Sequence, residues 1–261
     1  MNFVNPKKKL GQHFLKDENV ARKIVDRLTF DSYTQVLEIG PGMGILTQFI
    51  SKNKKIFIIE IDKESIEYLK KKFPYLVENI IHNDFLKFDL NSIINDKPLA
   101  IFGNFPYNIS TQILFKVLKH KDYIPFFCGM FQKEVAERIC ETEGTKKYGI
   151  ISVLVQAFYN TYYLFDVSPQ VFAPPPKVNS GVIELKRKEN YNLPCDQDLF
   201  FKIVKLSFQQ RRKTIRNSLK TLQLDENITE DSIFDLRPEK LSNVDFIKLT
   251  QKIQNGRIQN Q

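Results

Sequence analysis

Short apolar runs separated by polar, helix-prone stretches set the rhythm of the chain through about residue 188. Gln35–Ile39, Lys55–Glu60, Asn79–Asn83, Leu99–Phe102 and Pro125–Phe131 are brief and rich in β-branched or aromatic residues. That favours buried strands over helices. The intervening pattern predicts helices at Ile45–Ile50, at Ser110–His120 with Ser110 or Thr111 as cap, at Lys133–Glu141 and at Ile150–Tyr159. Thr161–Val167 and Gly181–Lys188 read as a closing pair of strands. Strand and helix in alternation predict an α/β, doubly wound, Rossmann-like sheet over residues 1–188. Past Glu189 the strand signals stop, and residues 189–261 are expected to form a small all-helical domain.

The ends of the predicted strands carry candidate chemistry. Gly40-Pro41-Gly42-Met43-Gly44 follows the first strand, and glycines there let the backbone approach a ligand closely. The dinucleotide fingerprint requires glycine at its sixth place, where this chain has Ile45. A G-x-G-x-G turn with an acid, Glu38, two residues before it suits S-adenosylmethionine better, since that ligand has a carboxylate and a ribose but no pyrophosphate. Glu60 ends the second strand where a ribose diol needs a double acceptor. Asp84 follows the third strand, placed to accept from the adenine amino group of the cofactor.

Asn104-Phe105-Pro106-Tyr107 follows the fourth strand. An aromatic amine is a poor nucleophile because its lone pair is delocalised into the ring. The Asn104 side-chain carbonyl and the Phe105 backbone carbonyl can each accept one of its hydrogens and turn the lone pair outward. Pro106 stiffens the turn, and Tyr107 offers a face for a base to stack on. Each of these features alone is commonly a turn, a cap or a solvated acid. Their order at successive strand ends is the evidence, because open α/β sheets bind ligands there. Phe172, just before Pro174-Pro175-Pro176, has two readings: a buried residue beneath a rigid connection, or a second stacking face for a flipped base.

Composition narrows the partner. The chain has 261 residues, enough for one large or two modest domains, and a net charge of +9, which points to a polyanion. The cations concentrate between Phe200 and Lys220, where Lys202, Lys205, Arg211, Arg212, Lys213, Arg216 and Lys220 occur with no acid. Ile203, Val204, Leu206, Phe208, Ile215 and Leu219 give the same stretch an apolar helical face. One basic helix buried on one side suits phosphate contacts; a membrane-surface helix is the competing reading, with no lipid anchor to support it. Three cysteines and three histidines, all scattered, predict reduced thiols and no metal site. No secretory or membrane-spanning segment is legible, so a cytoplasmic protein is expected, with monomer as the default state.

These segments together resemble the ribosomal RNA adenine dimethyltransferase family, in the type that acts on the small subunit. The resemblance runs through Gly11-Gln12-His13-Phe14-Leu15, Glu38 to Gly44, Asn104 to Ser110 and Gln132-Lys133-Glu134-Val135. It continues through Phe172 to Val178 and Phe208-Gln209-Gln210-Arg211-Arg212-Lys213-Thr214-Ile215-Arg216-Asn217, and these last two segments make it specific. It implies transfer of four methyls from S-adenosylmethionine to two adjacent adenines in a hairpin loop near the 3′ end of small-subunit rRNA, late in subunit assembly. It also implies that His13 and Leu15 meet the methionine end of the cofactor and that Gly40 lines the loop. Glu60 and Asp84 keep the roles given above, and Asn104 borders both cofactor and target. Two positions depart from the family pattern: Phe105 stands where leucine is common, and Ile150 where arginine is frequent. Three rivals remain at this level. They are an Erm-like enzyme acting on one large-subunit adenine, a relative acting on DNA or a protein amide, and a non-catalytic assembly factor.

Overall fold

The continuous apolar runs become the central strands of a sheet in the computed structural model, which describes residues 4–258. The chain divides into two compact units, one of residues up to 136 plus 162–187, the other of 137–161 plus everything from 188. The expected single cut after residue 188 therefore misassigns 137–161, which the sequence alone places inside the sheet domain.

In the first unit, chain order runs through β1 (Phe14–Leu15), α1 (Glu18–Val25), β2 (Gln35–Ile39), β3 (Lys55–Glu60), α2 (Lys63–Lys72) and β4 (Ile80–His82). It continues with α3 (Asn91–Ile94), β5 (Leu99–Asn104), α4 (Ser110–Lys119), β6 (Phe126–Gln132) and the start of α5 (Lys133–Cys140). After α6 (Ile150–Phe158) come β7 (Tyr159–Val167), β8 (Phe172–Ala173) and β9 (Ser180–Arg187). Seven strands form one sheet in the order β4-β3-β2-β5-β6-β9-β7, and β1 and β8 make a separate two-stranded ribbon. β4, β3, β2, β5 and β6 pair in parallel, and β9 runs antiparallel to β6. All five residues of β2 and the first five of β5 are buried, as expected of parallel strands covered on both faces.

Two buried polar side chains in β2 are each partnered through one polar atom, their other oxygens being left without a protein partner. Gln35 donates to the carbonyls of Ile93, Ile94 and Lys97 at 3.1–3.3 Å, and Glu38 accepts from Thr47 Oγ1 at 2.6 Å. α1 starts where Asp17 accepts from the backbone N–H groups of Asn19 and Val20, at 2.8 and 3.1 Å, a side-chain cap for otherwise unpaired donors.

Two local expectations need correction. No α-helix follows the glycine loop: Gly40, Gly42 and Gly44 all take positive φ (66°, 57° and 71°), and the chain passes through turns into a 3₁₀ segment at Thr47–Phe49. Within the expected helix, the N–H groups of Phe49 and Ile50 close back on the carbonyls of Leu46 and Thr47, three residues earlier, at 3.0 and 3.1 Å, which is 3₁₀ rather than α pairing. Nor does Ser110 cap α4; its hydroxyl donates to the Tyr107 carbonyl at 3.1 Å, within the turn.

The second unit is helical. α6 packs with α7 (Gln197–Gln209) and α10 (Asn243–Ile258), and α8 (Ile215–Ser218) and α9 (Glu226–Thr229) complete it. Val153, Leu154 and Val155 are fully buried, so α6 needs these helices as partners, and this takes 137–161 out of the sheet unit. Phe200, Ile203, Val204, Ile215, Phe234, Phe246 and Ile253 form its core, each at 0% exposure. The expected single basic helix over 200–220 is two helices with a turn between them. Arg211, in that turn, donates to the carbonyls of Lys146 and Thr145 at 2.7 and 2.8 Å; holding the guanidinium there takes the backbone off the helical path. Arg216, on α8, pairs with Asp235 at 2.8 Å.

Candidate active site

Parallel pairing places the carboxyl ends of β2, β3, β4 and β5 side by side, and one cavity of about 180 Å³ opens there. Gly40, Gly42, Glu60, Asp84, Asn104, Phe105, Pro106 and Tyr107 line it, and His13 and Leu15 add a wall from the N-terminal segment. These are the strand-end residues picked out by sequence order, together with the two supplied by resemblance. Phe172 is not among them. It is 1% exposed, pairs with Leu15 across the ribbon and belongs to the hydrophobic core. The stacking face expected of it is covered, and the buried reading is the one the structure supports.

The glycine loop fits a ligand at Gly40. A side chain there would meet only Pro106, at 3.8 Å, so the space beside this residue is open. Gly42 is constrained differently, since a Cβ would lie 2.7 Å from the Phe14 ring. Its N–H also donates to Glu60 Oε2 at 3.3 Å. Glu60 Oε1 accepts from Ile61 and Asp62 N–H at 2.8 and 2.9 Å, so backbone amides aim this carboxylate while burial raises its pKa. Behind it, Glu38 is wholly buried and its carboxyl is pushed up to about 8, chiefly by desolvation. Glu38 Oε1 has no protein partner, although the residue borders the cavity. An unpaired buried carboxyl oxygen and an open glycine edge are what a polar ligand would complete.

Asp84 Oδ1 accepts from the Leu86 N–H at 2.9 Å, which tightens the loop after β4. Asn104 Nδ2 donates to the His13 carbonyl at 2.9 Å. Its amide nitrogen thus engaged, Asn104 keeps its side-chain oxygen as an acceptor. The ring of Phe105 points into the core, 5.0 Å from Phe127 and 5.4 Å from Phe131 between centroids. Any side chain at Gly129 would collide with that ring at 2.3 Å. Gly129 therefore provides the room for phenylalanine, where the family commonly has leucine.

Further contacts of this cavity had no sequence signal. Tyr107 OH and Ser180 Oγ lie 2.5 Å apart, and the His13 ring stacks on Tyr107 with centroids 5.8 Å apart and planes at 26°. His13 Nδ1 is 2.8 Å from the Pro174 carbonyl. Lys7 pairs with Asp62, and Gln12 donates to the same carboxylate at 3.5 Å, which ties the N-terminal segment to the end of β3. Among the described residues, no group of three His, Cys, Asp or Glu could hold a metal, and no helix is long and apolar enough to cross a membrane.

The family model for ribosomal RNA adenine dimethylases matches residues 4–253. The ribosomal RNA small subunit methyltransferase A of Flavobacterium johnsoniae is 59% identical over 260 residues, 99% of this chain and 100% of that protein. Its counterpart from Cytophaga hutchinsonii is 57% identical over 257 residues, 97% of this chain and 99% of that protein. Among solved structures, a dimethyladenosine transferase from Plasmodium falciparum superposes with a TM-score of 0.81 at 26% identity, over 94% of this chain and 98% of that one. With a family match across nearly its whole length, and with the strand-end acids and Asn104 gathered at one cavity, the chain belongs to the ribosomal RNA adenine dimethylase family.

Proposed function

We propose that this chain is an S-adenosylmethionine-dependent adenine dimethyltransferase of small-subunit rRNA. Its targets in this reading are the 6-amino groups of two adjacent adenosines in a hairpin loop near the 3′ end of 16S rRNA, modified late in subunit biogenesis. One observation carries the reading: Glu60, Asp84 and Asn104 share a cavity, with the Asn104 amide nitrogen already committed to the His13 carbonyl.

When bound, S-adenosylmethionine supplies an electrophilic methyl on a sulfonium. Glu60 takes the ribose diol, Asp84 the cofactor adenine, and His13, Leu15 and Gly40 border the methionine portion. Asn104 Oδ1 and the Phe105 carbonyl accept the two hydrogens of the target amine, which directs the nitrogen lone pair at the methyl. Alignment of this kind contributes several kcal/mol, on the order of 7–11 in well-oriented cases. No general base is assigned: the methyl–sulfur bond would break as the carbon–nitrogen bond forms, leaving a neutral thioether, and the transiently cationic nitrogen would lose its proton to water past the Asn104 and Phe105 carbonyls. Tyr107 stacks on the target base, worth about 1–3 kcal/mol. Loop adenines suit the site because unstacking them costs less than opening a duplex.

Phosphate contacts fall to the exposed cations Lys202, Lys205, Arg212 and Lys213. Arg211, grouped with them on sequence, is engaged with Thr145 and Lys146 and serves first to hold the turn, while Arg216 is paired with the exposed Asp235. The partner is the small ribosomal subunit, met in the cytoplasm by a monomer.

Labelled methyl transfer to unmodified small subunits tests the proposal, with large subunits and an Asn104→Ala protein in parallel. Label confined to two adjacent small-subunit adenines, and lost in the variant, supports it. Label on large subunits supports the Erm-like reading instead. Wild-type protein that binds the subunit without transferring label would leave an assembly factor.

A further inference from the structure

Lys116 stands at the cofactor side of the cavity without being part of its lining. From α4 its ammonium reaches three backbone carbonyls of the loop after Asp84: Phe85 at 2.5 Å, Leu86 at 3.3 Å, and Phe88. Three carbonyl dipoles converging on one point repel one another unless a cation sits among them. Lys116 supplies that cation, half-buried and 4.9 Å from the Phe85 ring centroid. An ammonium has three donors and no acceptor, so three carbonyls use its full hydrogen-bonding capacity. Asp84 shares this loop. Its own carbonyl accepts from Lys87 and Phe88 N–H at 3.0 and 2.9 Å, and its carboxylate accepts from Leu86 N–H. Displacing the Phe85–Phe88 carbonyls therefore moves the backbone that aims Asp84.

We infer that Lys116 is a positioning residue for cofactor recognition: it holds the Asp84–Phe88 loop so that Asp84 reads the adenine amino group. The inference rests on the proposed cofactor site and deepens it. Lys116 touches no reacting atom. Its effect is confined to the adenine end of the ligand, where a lysine lost for purely structural reasons would weaken every ligand alike.

The test uses the full chain, titrated calorimetrically with S-adenosylhomocysteine and with S-inosylhomocysteine, in which an oxygen replaces the 6-amino group. Wild-type protein should prefer the adenosyl compound by about tenfold or more, the scale of one charge-assisted hydrogen bond. Lys116→Met should reduce that preference to about twofold or less, while affinity for the inosyl compound stays nearly unchanged; Lys116→Arg should restore the preference. Should Lys116→Met fail to fold, Lys116→Gln carries the same comparison. A wild-type preference that persists undiminished in the folded variant overturns the inference. Wild-type protein that binds both compounds equally removes Asp84 from adenine recognition, and wild-type protein that binds neither removes the cofactor site itself; each also overturns the role of Lys116.

Discussion

Glu38 and Tyr107 show how single side chains are tuned by partners distant in sequence. The folded carboxyl of Glu38 titrates near 8 against an ordinary value of 4.5, so between those limits the folded chain keeps a proton that the unfolded chain has released. Stability contributed at this position therefore falls as pH rises through that window, by up to about 1.4 kcal/mol per pH unit. Urea unfolding of wild type and Glu38→Gln at pH 5, 6, 7 and 8 should show the variant gaining on wild type at each step; parallel curves would place the proton elsewhere. The Tyr107 hydroxyl and the fully buried Ser180 satisfy each other. Tyr107→Phe leaves a buried hydroxyl unpaired, a cost of about 1–3 kcal/mol. It should also lower kcat/KM for RNA while leaving affinity for S-adenosylhomocysteine intact. Steady-state kinetics beside calorimetry separate the two effects.

At the scale of elements, the loops do more than join strands to helices. Gly42 combines positive φ with a Phe14 ring 2.7 Å from where a Cβ would sit, whereas Gly144, also at positive φ (93°), has nothing within 4 Å. Gly144→Ala should cost about 1 kcal/mol of backbone strain. Gly42→Ala should cost more and also weaken S-adenosylhomocysteine binding, since Phe14 and the amide aimed at Glu60 both move. Melting curves and calorimetry on the pair measure the difference. The turn between α7 and α8 makes a parallel case. Arg211→Met removes the donors to Thr145 and Lys146 and should destabilise the helical unit. Arg212→Ala, at an exposed neighbour, should leave stability within about 0.5 kcal/mol of wild type and weaken RNA binding. Equal stability losses in the two would deny Arg211 its structural task.

For the molecule as a whole, the net charge of +9 makes association with rRNA salt-dependent. The slope of log K against log salt should lose about 0.7 for each of Lys202, Lys205, Arg212 and Lys213 replaced by alanine, if each neutralises a single-stranded phosphate. Filter binding across a salt series reads this out; unchanged slopes would move the interface elsewhere. Much of the sheet was legible from sequence, because buried parallel strands are written as continuous apolar runs and the chain order of a doubly wound fold fixes which strand ends meet. Glu60, Asp84 and Asn104 were found that way: each closes or follows a strand, so local pattern alone delivers it to the same edge. Local pattern did not reveal that residues 137–161 join the helical unit or that the basic stretch breaks at Arg211, and it left two readings of Phe172 open, buried or stacking. Those outcomes depend on partners remote in the chain: Arg211 finds Thr145 across 66 residues, and Phe172 finds Leu15 across the ribbon. The sequence by itself determined the strands, their order and the chemistry at their ends. Tertiary structure alone decided which cations and rings are exposed and which are engaged or buried, because burial and long-range hydrogen bonds exist only once distant segments have packed.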